Sequence, residues 1–364
     1  MAVQYRLDVK STAGIMQAQV SDFIGTLTYS KAVNEVGLLQ FALPADHSAI
    51  AYLTDKALVE VWRRDTGRGV AWHADFYGLV RTTQYQYPGE GPETFTVWCP
   101  SQLSMLGWRI VAWKAETANR SKFTTAKAET IMKTLVSFNA GASATVANGR
   151  IREGAITGLT VQADGAAGNT LDHACAYAGL LTTLQALAKI AGGDFDLVAT
   201  GASTWEFRWY AGQLGTDRSA TVAIALERGT MASPTLTDSR ADEATVCIVG
   251  GQGEAAARTT VVRLGANYNV SSNNQERLVD ARDRTTTAGL NAAGDRALDE
   301  WRARPELNFQ IIQTPALVWN RDLFLGDKVL AKYRDYTATM KVTGVNMTFA
   351  ADGAEAIQPT FEEV

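Results

Sequence analysis

Along roughly the first hundred residues, apolar and polar side chains alternate in short runs cut by turn clusters. A period of two commits such a stretch to sheet. Segments 23–31 and 36–43 flank Ala32-Val33-Asn34-Glu35, and Leu39, Phe41 and Leu43 share one face of the second. Segments 57–63, 70–81 and 93–99 continue the pattern. Asp65-Thr66-Gly67-Arg68-Gly69 and Pro88-Gly89-Glu90-Gly91-Pro92 supply hairpin loops between them. Short antiparallel strands at this spacing predict a sandwich or small barrel.

The period then changes. A helix is predicted from Thr124-Thr125 as the cap, with Ile131, Met132, Leu135, Val136 and Phe138 as its apolar stripe and Asn139-Ala140-Gly141 as its end. A Gly- and Ala-rich stretch, 142–169, follows, and a second helix is predicted over 182–191, stopped by Gly192-Gly193. Segments 195–198 and 204–210 form a strand pair, so this region is a small α+β module. From about residue 219 the pattern is β again (220–227, 243–249, 259–264, 308–318), interrupted by a helix over about 286–304 with Leu290, Ala293, Ala297, Leu298 and Trp301 on one face. The division expected is 1–115, a β domain; 116–218, the α+β module; and 219–364, a second β domain carrying the packed helix. The fold class is α+β and β-rich.

Composition removes several functions. Lys and Arg total 34 and Asp and Glu 38, a net charge of −4 with no basic run, which is a poor basis for gripping phosphates. Cys99, Cys175 and Cys247 lie far apart without a paired-cysteine spacing, so neither a zinc ribbon nor a disulfide framework is expected, and no cofactor is indicated. His47, His73 and His173 are scattered; His73 with Asp75 comes nearest to a ligand pair, but zinc wants three or four ligands. No nucleophile elbow stands out, and no catalytic residue is assigned. No uncharged apolar run is long enough to span a bilayer, and the first ten residues lack the basic-then-apolar order of a secretory leader. The protein is therefore expected in a reducing compartment, or released by a route other than secretion.

The two β regions resemble each other. Asp55-Lys56-Ala57-Leu58-Val59-Glu60-Val61-Trp62-Arg63 matches Asp327-Lys328-Val329-Leu330-Ala331-Lys332-Tyr333-Arg334: an Asp-Lys turn, an alternating strand, an aromatic-Arg end. Polar tips follow, and the returning strands are Phe76-Tyr77-Gly78-Leu79-Val80 and Val342-Thr343-Gly344-Val345. One chain would then carry two copies of a β module. A trimer would present six around an axis, which lets a threefold assembly dock on a sixfold ring.

Other motifs have simpler explanations. Gly250-Gly251-Gln252-Gly253 looks like a phosphate loop, but an alternating strand rather than a helix follows, which favours a hairpin loop. Trp62, Trp72, Trp98, Trp108 and Trp113 could stack on sugars, although their places on alternating strands favour core or subunit interfaces. Asp194 with Asp196, or Glu206, could be read as glycosidase carboxylates, but nothing around them singles them out. The charged face from Asp295 onward is read as a solvated surface, with an inter-subunit role as the lesser reading.

Several segments together are similar to a known family: 23–37 (Phe-Ile-Gly-Thr-Leu-Thr-Tyr-Ser-Lys-Ala-Val-Asn-Glu-Val-Gly), Phe41-Ala42-Leu43-Pro44, and Phe207-Arg208-Trp209-Tyr210. To these are added Gln213-Leu214-Gly215-Thr216-Asp217-Arg218, Leu226-Glu227-Arg228-Gly229, Val249-Gly250-Gly251-Gln252-Gly253-Glu254, and Leu325-Gly326-Asp327. In order and spacing they resemble the siphovirus Gp37-like family of long-tailed phage proteins, related in architecture to the baseplate hubs of contractile-tailed phages. The resemblance implies a non-enzymatic structural protein of the virion tail tip, assembled in the host cytoplasm. It implies a homotrimer with two related tube-like β-barrel domains per chain and an intervening small α/β module. Its pseudo-sixfold ring would cap or extend the tail tube. Expected partners are other copies of the chain, the tail tube or distal tail ring, a separate spike or fibre protein, and phage DNA crossing the channel without specific binding. A tail-associated cell-wall or polysaccharide hydrolase, or a receptor-binding tail-tip protein, is the alternative.

Overall fold

The computed structural model describes residues 3–114, 119–270, 274–282, 284 and 286–364. Alternation in the first region becomes eight strands: β1 (Val3–Lys10), β2 (Met16–Val20), β3 (Ile24–Ala32), β4 (Leu38–Pro44), β5 (Leu58–Asp65), β6 (Val70–Leu79), β7 (Thr82–Gln86) and β8 (Thr94–Pro100). The first, second, fifth and sixth form one antiparallel sheet in the order β2-β1-β5-β6. Leu7, Val9, Val59 and Val61 are its inner face, each at 0% exposure. Along β5 both faces are covered, so Glu60 is buried too; Lys10 Nζ (2.5 Å) and Trp62 Nε1 (3.0 Å) satisfy its carboxylate.

Next come β9 (Ser121–Lys127), α1 (Ala128–Asn139), β10 (Leu159–Val161), β11 (Thr170–Cys175), α2 (Leu180–Ala191), β12 (Gly193–Gly201) and β13 (Thr204–Ala211). The stripe predicted for α1 is its buried face: Ile131, Met132, Leu135 and Val136 are fully enclosed. Each such side chain contributes about 1.5–3 kcal/mol by leaving water. The predicted cap is corrected. Thr124 and Thr125 belong to β9, which pairs antiparallel with β11, and Asp172 accepts the Thr125 amide at 2.7 Å. The pairing with β11, which bulges at Thr125 (φ 51°), carries the strand past both threonines, so the helix starts after Lys127. Gly192, at φ 71°, ends α2 in the left-handed conformation that glycine adopts without steric cost.

The core of α1, α2, β12 and β13 includes Leu58, Leu79, Leu103 and Leu106 from the first region. Apolar residues of the first region and of the α+β module therefore share one core.

The remaining elements are β14 (Ala223–Ala225), β15 (Met231–Ser239), β16 (Val246–Gly250), β17 (Thr260–Leu264), β18 (Glu276–Asp280), α3 (Thr287–Glu300), β19 (Arg304–Ile311), β20 (Lys328–Tyr333), β21 (Tyr336–Ala350) and β22 (Glu355–Glu363). Two compact units emerge, Met1–Ala232 with Gln310–Val364, and Ser233–Phe309. The smaller has β16 between antiparallel β17 and parallel β18, with Cys247 and Val249 packed against Leu290, Ala297 and Leu298 of α3. Thr286 caps α3 by accepting the Gly289 amide at 3.1 Å. The helix stops at Glu300 rather than near 304, because Arg304 already begins β19.

In the larger unit β21 is long enough to hold several partners. Its first half pairs with β20, its second half with β3, and β22 runs along most of its length. Through β3 the sheet continues to β4, β8 and β7. Strands from the first and last parts of the chain thus share one sheet, a pairing that no local pattern announces. The chain is 48% strand and 17% helix, α+β and β-rich as predicted. Among the described residues no sheet closes into a barrel.

The two segments matched in sequence are both antiparallel hairpins, β5–β6 and β20–β21. They open identically. Lys56 N donates to Val80 O (2.8 Å) and Val80 N to Ala57 O (2.9 Å); Gly326 N donates to Val342 O (2.9 Å) and Val342 N to Asp327 O (2.9 Å). Lys56 and Gly326 both have positive φ, 63° and 84°. Structurally, therefore, Lys56-Ala57 matches Gly326-Asp327, two residues out of step with the sequence match. A shift of two keeps every side chain on its face, which is why the patterns coincide; Val59 and Val61 are buried in one hairpin, Val329 and Ala331 in the other.

Candidate functional site

Motif segments far apart in sequence converge in the larger unit. Asn34, at φ 62° in the turn between β3 and β4, accepts the Phe195 amide through Oδ1 (2.7 Å) and donates Nδ2 to Asp194 Oδ1 (3.1 Å). Asn is one of the few side-chain-bearing residues that tolerates that backbone, and its short amide reaches β12 from there. Asp194 is buried and also accepts from Leu214 N (2.7 Å) and Lys341 Nζ (2.7 Å). One carboxylate so joins the β3–β4 turn, the module strand β12, the 213–218 loop and β21.

Asp327 does the same one step along. Its Oδ1 accepts from Thr216 N (2.7 Å), and its Oδ2 from Arg218 Nε (2.8 Å) and Phe324 N (2.9 Å). Backbones meet here so closely that side chains are excluded. A Cβ on Gly215 would lie 2.3 Å from Asp327 N, and one on Gly326 would lie 2.6 Å from Gly215 N. Gly37 is equally confined, its notional Cβ 2.1 Å from Ser30 O.

Beside this junction lies a cleft of about 500 Å³. Lys31, His73, Asp75, Asp196 and Asn320 are among its polar lining, with Phe195 and Phe324 among the apolar. Asp75, at 8% exposure, accepts from Tyr29 Oη (2.5 Å), Lys31 Nζ (2.5 Å) and Asn320 Nδ2 (3.0 Å). Burial alone would raise its carboxyl, but the Lys31 charge and the bonds from Lys31 and Tyr29 hold it well below the usual range. Burial and the neighbouring Asp75 charge push Tyr29 far up. His73 Nδ1 lies 3.0 Å from Ala71 O and Nε2 lies 2.8 Å from Asn320 Nδ2, an arrangement that suits the neutral ring. The His73–Asp75 pair is thus part of a hydrogen-bond web, at 3.8 Å. Among the described residues no group of three or more His, Cys, Asp and Glu is placed to hold a metal.

The other sequence candidates are accounted for similarly. Asp194 is committed to the junction. Asp196 accepts the Leu197 amide (2.7 Å) and is pushed up by burial, and Glu206 pairs with Arg208 (2.6 Å). The Gly250 loop leads through a single turn, Ala255–Ala257, into β17, antiparallel to β16; Arg258 donates to the carbonyls of Gly250 and Gly251. That is a hairpin loop, with no helix to receive a phosphate. Arg6 lies 5.1 Å from the Trp62 ring centre and 5.2 Å from that of Trp72, and Trp113 stacks on Phe138 at 4.4 Å. On α3, Asp295 pairs with Arg263 and Asp299 with Arg302, so part of the charged face is ion-paired.

One buried ion pair was not predicted. Arg63, fully enclosed, donates Nε (2.7 Å) and Nη2 (2.8 Å) to Glu355, which also accepts from Tyr5 Oη (2.7 Å). The only sequence signal was that Arg63 lies two residues from Val61, on the face of β5 that carries Val59 and Val61.

A family model for siphovirus ReqiPepy6 Gp37-like protein matches residues 8–361. The chain belongs to this family. Family membership places it among structural proteins of the phage tail and baseplate. In fold it is similar to the tail protein from Neisseria meningitidis MC58, with a TM-score of 0.59 over 98% of this chain and 97% of that one at 10% identity. It is similar also to the 43 kDa tail protein of prophage MuSo2 from Shewanella oneidensis, with a TM-score of 0.57 over 98% and 97% at 12% identity. A third likeness is to the E. coli c3393 protein, a type VI secretion component described as structurally similar to T4 tail proteins gp27 and gp5, with a TM-score of 0.51 over 98% and 76% at 11% identity. No curated protein matches the sequence. No helix among the described residues is long and apolar enough to cross a membrane.

Proposed function

We propose that the chain is a non-enzymatic tail hub: a homotrimer at the tail tip of the virion whose β modules form a pseudo-sixfold ring capping or extending the tail tube. The observation that carries this reading is the whole-chain likeness in fold to tail proteins, which covers nearly the full length of both partners. The two hairpins that open with the same hydrogen-bond pair support it, since two related modules per chain turn three copies into six positions. In this reading the division is 1–115, 116–218 and 219–364, with the first and last parts supplying the two β modules and the middle module bracing them. Proposed neighbours are the tail tube or distal tail ring and a spike or fibre protein. DNA would cross an axial channel whose wall is polar and neutral or acidic, so that phosphate is not gripped.

Native mass measurement and electron microscopy of the purified chain test the proposal. A trimer or larger ring of threefold or sixfold symmetry is expected, with no turnover of cell-wall material. A monomer at high concentration, or turnover, would sink it; a strongly positive lumen would sink the channel argument.

A further inference from the structure

We propose that the larger unit carries an anion-binding site for an acidic sugar or polyol, built on Lys56, Trp108 and Arg109. These residues line a cavity of about 350 Å³ together with the hydroxyl residues Thr12, Thr157 and Ser203, and none of its lining residues is acidic. Arg109 is only half-buried, and its bonds go to carbonyls: Nε to Gly154 O (2.5 Å) and Nη1 to Trp108 O (3.2 Å). Behind it stand Arg150, at 5% exposure, and Arg152, gathered round the same turn. Arg150 Nη1 donates to Arg152 O (2.7 Å), Arg152 Nε to Glu153 O (3.4 Å), and the buried Arg150 Nε has no partner.

Among the described residues no carboxylate oxygen lies within 4.0 Å of a nitrogen of these three arginines. The adjacent Glu153 accepts the Val146 amide (3.0 Å) instead. Burial and the Arg152 charge lower the Arg109 guanidinium; burial and then the Arg109 and Arg152 charges lower that of Arg150, against a smaller opposing pull from Glu153. Like charges held together with no carboxylate in ion-pairing contact favour an anion. Lys56 adds a further cation. Its Nζ lies 5.6 Å from the Trp108 ring centre, and it shares the exposed Asp55 with Arg81, at 3.8 and 3.6 Å. Cations supply the oxyanion contact, an indole supplies a flat apolar wall, and hydroxyls match hydroxyls. A carboxylated or phosphorylated sugar or polyol has all three features, whereas a neutral sugar lacks the first and a bare phosphate the second.

Calorimetric titration of the full chain with glucuronate, glycerol phosphate, inorganic phosphate and glucose provides the test. Glucuronate or glycerol phosphate should bind, weakening with salt, and glucose at least about tenfold less tightly, one charge-assisted bond being worth that much. Arg109→Gln should lose about tenfold, and Lys56→Gln decides the matter if Arg109→Gln does not fold. A glycerol phosphate polymer beside the monomer distinguishes a surface polysaccharide from a free metabolite by which binds tighter. Equal affinity for glucose, equal affinity for inorganic phosphate, or unchanged affinity in the folded variants overturns the proposal.

Discussion

Replacing Glu355 by Leu isolates the Arg63 guanidinium in the interior. The Arg63 side chain is at 0% exposure and that of Glu355 at 6%, so solvent cannot take over the lost bonds. Removing one partner of a buried pair costs about 3–5 kcal/mol, and the Tyr5 hydroxyl loses its acceptor at a further cost of about 1 kcal/mol. The midpoint of thermal unfolding should fall by roughly 7–10 °C, at about 1.7 °C per kcal/mol for a unit of about 290 residues. The double replacement Arg63→Met with Glu355→Leu removes both charges, and Arg63 Nη1 is already without a partner. That variant should lie within about 2 kcal/mol of the parent, in either direction. Urea unfolding followed by tryptophan emission reads the effect in the right place, because only Trp301 of the nine tryptophans lies in the smaller unit. A single variant that loses less than about 1 kcal/mol, or a double variant as unstable as the single, would refute the assignment of a buried, mutually dependent pair.

Gly215→Ala should destabilise by several kcal/mol, since its Cβ would fall 2.3 Å from backbone, whereas Gly212→Ala, at φ 80° but with nothing within 4 Å, should lose only the strain of that backbone, about 1–2 kcal/mol; equal losses would argue against close approach as the reason for Gly215. Asp75 has its folded-state carboxyl depressed, so its contribution is full above the unfolded value of about 3.9 and fades as pH falls below it. The melting-temperature gap between parent and Asp75→Asn should therefore narrow from about pH 5 to pH 3, and a gap constant with pH would count against it. Asn34→Gly should retain the turn but lose two side-chain bonds, about 1–3 kcal/mol, and Asn34→Ala should be worse because alanine resists φ 62°; the reverse order, measured by chemical unfolding, would contradict the backbone argument.

What could be read from the chain was local. Period-two alternation placed β3, β4, β5, β6 and β8 to within a few residues, because facing one side of a sheet to the core imprints itself on consecutive side chains. The stripe of α1 was equally plain in Ile131, Met132, Leu135 and Val136. The start of α1 was not, because pairing with β11, more than forty residues on, draws residues 121–127 into a strand. Likewise the repeat was visible but out of step by two, since alternation fixes the face of a residue and says nothing of its place along the strand.

Family membership, too, was carried by the sequence: short motifs in a fixed order. Why those motifs have that form was decided by tertiary structure. Asn34, Asp194, Gly215, Asp327 and Lys341 meet only when β3 pairs with β21. A pairing that joins the two ends of the chain leaves no periodic trace between them, and neither does the buried union of Arg63 with Glu355. Backbone and side-chain chemistry act over a few ångströms; which residues come that close is settled by the folded core as a whole.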